Sequence, residues 1–179
     1  MGRVKVKGMG DWQLQLEALA SPATARRIAK KAVWSGANVM RDAIIGAVES
    51  IPARGPGYRA TAPGSAIPWW GTDGWDGQIK NLTTEQKEGL IQGFGIAPIK
   101  ESGGKWSTKT SFSGSNNVHT DEWPEGQPNS MIAAQLENGA SFRARQPVIS
   151  EAIKRNKAKA QAAMTATGEA EILKTTGGK

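Results

Sequence analysis

The clearest pattern along the chain runs through residues 21–51. Ala25, Ile28, Ala29, Ala32, Val33, Gly36, Val39, Met40, Ala43, Ala47, Val48 and Ile51 recur there at three- and four-residue steps. A continuous apolar stripe of that period predicts an amphipathic helix. Ser21 supplies an N-cap and Pro22 occupies the first helical position, where its missing N–H costs nothing; Pro52 ends the segment. The stripe is rich in Ala and Gly, so a neighbouring sheet or helix can approach it closely, and a subunit interface uses the same kind of seam.

Other periods are shorter. "GRVKVKGM" alternates basic and apolar residues, with Val4 and Val6 opposite Arg3, Lys5 and Lys7, which predicts a half-buried strand with a lysine-protected edge. "GDWQLQLEALA" reads as a short amphipathic helix. "QIKNLTTEQKEG" reads as a short strand entering a polar turn, and "GLIQGFGIAP" as a strand with Leu90, Gln92, Phe94 and Ile96 on one face. "MIAAQLE" is a short apolar segment read as a strand, followed by an Asn-Gly turn. A helix is expected to start at Pro147, with Val148, Ile149, Ala152 and Ile153 as its apolar positions. Those positions fade after Lys154, so 147–179 is expected to be a helical tail, weakly packed or packed on a partner.

Two segments have no period. Residues 53–75 carry Pro and Gly clusters with Trp69, Trp70 and Trp75, and 99–129 form a Ser/Gly/Asn-rich excursion able to make a polar hairpin. Both are expected to be extended loops on a single domain spanning 1–179, and loops of that length inside a compact domain carry function. Removing either is expected to weaken assembly and leave the fold intact.

Composition narrows the picture. Among 179 residues there are 22 Gly, 9 Pro, seven Trp and no Cys. No disulfide framework, thiolate nucleophile or cysteine metal site is available. No apolar run reaches membrane-spanning length and the N-terminus has no hydrophobic signal region, so a soluble cytoplasmic chain is expected. The net charge of +7 permits nucleic acid, anionic lipid or an acidic protein as partner. It is concentrated towards the ends, in Arg3, Lys5 and Lys7, in Arg26, Arg27, Lys30 and Lys31, and from Arg143 to Lys159.

Candidate chemistry is sparse. His119, the only histidine, lies in "NNVHTDEW" beside Asp121 and Glu122, but no motif supplies a nucleophile or further metal ligands, and a polar loop histidine is expected. "GTDGWDG" sets Asp73 and Asp76 among glycines without the remaining oxygen ligands of a calcium loop. "WWGTDGW" suits a stacking platform for sugar or single-stranded nucleic acid, or an anchor buried against a neighbouring subunit. With no other sugar- or base-reading feature in the chain, the anchor is the expectation. There is no GxxxxGKS/T, GxGxxG, GxSxG or HExxH. Neither an enzyme nor a cofactor is expected.

The order of these segments, "VKVKGM", a long Ala-rich helix ending at "IP", "DGQIKNL", "GLIQGFGIAP" and a closing "MIAAQLENGASFRARQPVISEAI", resembles the tailed-phage morphogenesis family of small neck and tail-completion proteins, made beside the head–tail joining proteins of siphophages. The closing segment carries most of the likeness, through Ala134, Leu136, Glu137, Gly139, Phe142, Gln146, Pro147, Val148, Ile149 and Ala152. The likeness spans about 1–52 and 76–155. The long Trp-rich 53–75 and the length of 99–129 depart from it.

The resemblance implies an α+β fold with a curved antiparallel sheet packed on the long helix and a C-terminal helix. It implies a structural virion protein, assembled in the host cytoplasm. Copies of the chain would form a ring at the phage neck or tail end, completing the tail or joining it to the head. Partners would be further copies, head-completion or connector proteins, and tail-terminator or tail-tube proteins, with passing DNA in transient contact and no membrane. Trp69, Trp70, Trp75, Trp106, Trp123, Arg143 and Arg145 are the expected interface residues. Arg26, Arg27, Lys30 and Lys31 are the residues expected to face DNA, and they also carry the alternative of a DNA-binding protein that uses its basic helices. A sugar-binding or hydrolytic tail component would rest on the Trp cluster with Asp73 and Asp76 alone.

Overall fold

The computed structural model describes residues 19–54, 81–140 and 143–177. The predicted strand and short helix before residue 19, and Trp69, Trp70 and Trp75 with Asp73 and Asp76, lie outside them. Helix α1 is Pro22–Glu49, β1 Ala53–Arg54, β2 Leu82–Thr83, α2 Thr84–Gly93, β3 Phe94–Ile96, β4 Lys100–Ser102, β5 Lys105–Ser107, β6 Thr110–Phe112, α3 Asn129–Asn138 and α4 Val148–Thr175. The class is α+β. The strands pair in twos: β3 with β6 and β4 with β5 antiparallel, β1 with β2 parallel. With two or three residues each, these strands make short ladders in place of one broad sheet.

The chain divides into two compact units. The larger comprises 40–54, 81–97, 109–140 and 143–157 of the described residues. Its core joins Val48 and Ile51 at the end of α1 to Leu82, Leu90 of α2, and Ile132, Ala133 and Leu136 of α3. Ile44 of α1 packs with Phe94 of β3 and Ala152 of α4, against Phe112 of β6. The second half of α1 therefore does lie on an antiparallel strand pair.

Local chemistry explains why two segments read as strands are helical. Thr83 and Gln86 form a capping box: the Thr83 hydroxyl accepts the Gln86 N–H at 3.1 Å, and the Gln86 side chain accepts the Thr83 N–H at 3.3 Å. Two orphan donors are satisfied and α2 starts where a polar turn is expected. The strand β3 begins only at Phe94. In α3, Asn129, Ile132, Ala133 and Leu136 are buried, a helical and not an alternating set. The Asn-Gly pair after it is the helix end: Gly139 has φ +79° and its N–H reaches Gln135 O at 2.9 Å. At the end of α1, Lys87 Nζ donates to the carbonyls of Glu49 at 2.6 Å and Ile51 at 3.0 Å, which the helix itself leaves unpaired.

The segment 99–129 is largely structured. It holds β4, β5 and β6, and its Asn116 is buried. Excising it would remove the strand that pairs with β3, so the fold is not expected to survive that deletion.

The smaller unit comprises 19–39, 98–108 and 158–177. Here α1 and α4 run antiparallel, since Arg27 meets Glu171 and Thr175 while Gly36 meets Ala160 and Met164. The contact is built on small residues. Gly36, Ala37 and Ala160 are buried, and Ser35 Oγ donates to Ala163 O at 3.3 Å. This part of the Ala/Gly seam is filled by the chain's own last helix, which is helical to Thr175 and packed within the chain. The β4–β5 hairpin turns through Gly103 and Gly104, both at positive φ (56° and 74°), as a tight two-residue turn demands.

Candidate functional site

The stretch 135–153 joins α3 to α4, and its charged residues serve that joint. Glu137 Oε1 accepts the Ile149 N–H at 2.7 Å and the Ser150 N–H at 3.3 Å, so a carboxylate from α3 caps the first turn of α4. A charged acceptor on orphan N–H groups at the positive end of a helix is a favourable pairing. Arg145 Nε donates to Glu137 O at 3.0 Å and the side chain is exposed.

Arg143 is 3% exposed. Its guanidinium donates to Asn81 O at 3.1 Å and to Gln86 Oε1 at 3.1 Å, and Gln86 Nε2 in turn donates to Gln127 Oε1 at 2.8 Å. Burial pushes its pKa below the ordinary arginine value. Against the expectation of an interface role, Arg143 is enclosed by the chain itself, tying the residue before β2 to α2 and, through Gln86, to Gln127. Trp123 is half-buried in a turn closed by its N–H on Thr120 O at 3.0 Å.

Glu137→Ala should lower the unfolding free energy by about 1 kcal/mol. Glu137→Gln, which keeps one acceptor oxygen, should cost less. Urea titrations of the two variants read the difference, and equal loss in both would rule out the cap.

No catalytic constellation forms among the described residues. The His119 ring is exposed, with Nδ1–H donating to Pro124 O at 2.7 Å. No group of three or more His, Asp or Glu side chains there is placed to hold a metal ion, and no described helix is long and apolar enough to cross a membrane.

The densest cluster of charge lies in the smaller unit, at residues from both ends of the described chain. Glu171 of α4 has a side chain only 5% exposed. Its carboxylate accepts from Arg27 Nη1, from Lys31 Nζ at 2.9 Å and from Lys174 Nζ at 3.3 Å. Arg27 Nη2 also donates to Thr175 Oγ1 at 2.9 Å. Arg26 pairs with Glu101 of β4 at 3.4 Å and lies 5.8 Å from the ring centre of Trp106 on β5. Lys30, exposed, has no ion-pair partner among the described residues. Of the four cations expected to face DNA, three are therefore engaged within the chain, and Trp106 is engaged by one of them. Glu171 and Lys174 are what the sequence reading missed; the fading apolar pattern around them disguised a packed helix face. Trp34 (46% exposed), Ile172 and Leu173 (57% exposed) are large apolar side chains left open on the same unit.

The Lys31 hydrogen bond is the largest influence on Glu171. Desolvation opposes it, and the Lys174 hydrogen bond and both lysine charges add to it, taking the pKa from 4.5 down to about 2. A lowered carboxylate pKa stabilises the folded state above the unfolded value. That contribution should be complete above about pH 4.5 and be lost as the pH falls towards about 2. Helical circular dichroism during acid titration should show a step in this window that Glu171→Gln abolishes. An unchanged step in the variant would mean that other carboxylates carry it.

No protein-family model matches the chain, and no curated protein or solved structure is significantly similar to it.

Proposed function

We propose that the chain is a structural subunit of a phage neck or tail-end ring, contributing to tail completion or to head–tail joining. The observation that carries this reading is the exposure of Trp34, Ile172 and Leu173 on the helical unit. Large apolar side chains left open beside packed helices are what an assembling subunit presents to a neighbour. The α+β class and the long helix Pro22–Glu49 agree with the resemblance; the segment before Glu137 departs from its pattern, being helical. Ring contacts between copies are heterologous, so this surface would meet a different one on the next copy.

Light scattering on the purified chain should give a mass several times 19.0 kDa, with closed rings in negative-stain images. Replacing Trp34 and Leu173 by Ser should return it to 19.0 kDa with its helical signal unchanged. A wild-type chain that stays at the monomer mass at every concentration would remove the self-assembling ring. Deleting 55–75 is the cleaner test of the Trp-rich segment, because it leaves β1 and every other described strand in place.

A further inference from the structure

We infer that the helical unit binds the phosphate backbone of duplex DNA through Arg27, Lys30, Lys31 and Lys174, held in place by Glu171. The first observation is how charge is divided. Among the described residues, the smaller unit has eight Lys and Arg against three Glu, whereas the larger has nine Lys and Arg against nine Asp and Glu. The excess of the described chain therefore belongs to one unit, and solubility alone would not require that segregation.

The second is the geometry around Glu171. One carboxylate neutralises one positive charge, yet three cations are within hydrogen-bonding reach of it. Each lysine ammonium has three N–H donors and gives Glu171 one of them. The Arg27, Lys31 and Lys174 side chains are nearly half-exposed or more, so apart from the Arg27 bond to Thr175 their remaining donors are open to solvent. Glu171 thus acts as a positioning residue: it holds three mutually repelling cations together and leaves two charges in excess. Lys30 adds a fourth on α1, three residues from Arg27 and so about 4.5 Å further along the axis.

The partner follows from what the surface offers and lacks. Cations fixed a few ångströms apart on packed helices match a polymer that carries one negative charge per about 1.7 Å of axis. Residues 22–34 contain no Asn or Gln, and Glu171 holds Arg27, Lys31 and Lys174 back from reaching a base edge, so binding is to backbone and independent of sequence. Trp34 is the only aromatic residue of this α1 segment, and a single strand needs a series of stacking platforms. The inference stands apart from the ring reading, because DNA binding is measured whatever the mass of the particle.

Fluorescence anisotropy with a labelled duplex of mixed sequence, from about 50 to about 200 mM salt, tests it. Binding is expected at low salt, with a slope of log affinity on log salt of about −3. The Lys31→Gln, Lys174→Gln double variant should flatten that slope by about 2, and Lys30→Gln, which touches no packing contact, by about 1. Lys154→Gln with Lys157→Gln, in the charge-balanced unit, should leave it unchanged. The inference is overturned if wild-type binding is undetectable at the lowest salt, or if Lys30→Gln leaves the slope unaltered. It is equally overturned if the Lys154/Lys157 variant loses as much as the Lys31/Lys174 variant, if polyglutamate binds as tightly as the duplex, or if a single strand binds more tightly.

Discussion

Leu136→Ala should lower the unfolding free energy by about 3 kcal/mol, the middle of the range for emptying a fully buried leucine site. Leu136 is 0% exposed and belongs to the cluster formed by Val48, Ile51, Leu82, Leu90, Ile132 and Ala133. That cluster draws on α1, β2, α2 and α3, so no single element can collapse into the space left behind. Ala134 supplies the matching control. In a strand, residues 134 and 136 share a face. In α3 they do not, and Ala134 is exposed. Ala134→Asp should therefore cost no more than about 1 kcal/mol, the loss of helix propensity alone. Urea unfolding with an unchanged m-value reads both. A costly Ala134→Asp beside a mild Leu136→Ala would restore the strand and overturn the helix.

How far the fold was legible depends on the length over which a period can be counted. Over α1 the three- and four-residue steps persist for the whole segment between Ser21 and Pro52, and the observed helix is Pro22–Glu49. The helices α2 and α3 have ten residues each. Over so short a window Leu90, Gln92, Phe94 and Ile96 satisfy alternation by chance, and Gly89 and Gly93 lower the helical propensity further. The better signal was Thr83–Thr84–Glu85–Gln86, a capping-box signature at the start of α2 that outweighs the glycines. The start of α4 was marked by Pro147, but its continuation to Thr175 was not, because its packed positions are Ala160, Met164 and Glu171 and not a run of large aliphatics.

The candidate site was harder still. Arg143 and Arg145 are two residues apart and chemically identical, yet one is buried among Asn81 and Gln86 while the other is exposed on Glu137 O. That difference is made by elements about sixty residues upstream, which no local pattern encodes. The same holds for Glu171 and Arg27, separated by 144 residues and brought together only by the antiparallel course of α1 and α4. Runs of basic residues at the two ends looked alike in the sequence. Folding gives one of them a buried carboxylate and leaves Lys154, Arg155 and Lys157 exposed on α4.

Gly93→Ala should be comparably damaging, at about 3 kcal/mol, the upper part of the range for forcing an atom into filled space. A methyl group there would fall on the carbonyl oxygen of Ser113 and on Asn129 Nδ2. Neither can yield at low cost. The Ser113 carbonyl accepts from Asn129 Nδ2 at 2.8 Å, while the Ser113 N–H and hydroxyl donate to Gly93 O at 2.8 and 3.0 Å. Moving Ser113 would therefore break the closure of the β3–β6 pair, whose register sets Phe94 opposite Phe112 in the core. Gly46 offers the opposite case, since a Cβ there meets nothing within 4 Å and the residue is exposed in the last turn of α1. Gly46→Ala should stabilise by about 0.5–1 kcal/mol, through helix propensity alone. Two Gly→Ala changes of opposite sign, measured by urea unfolding, test the junction of α2 with β3 directly. If both proved neutral, Gly93 could not lie against Ser113, and the turn from α2 into β3 would have to be drawn differently.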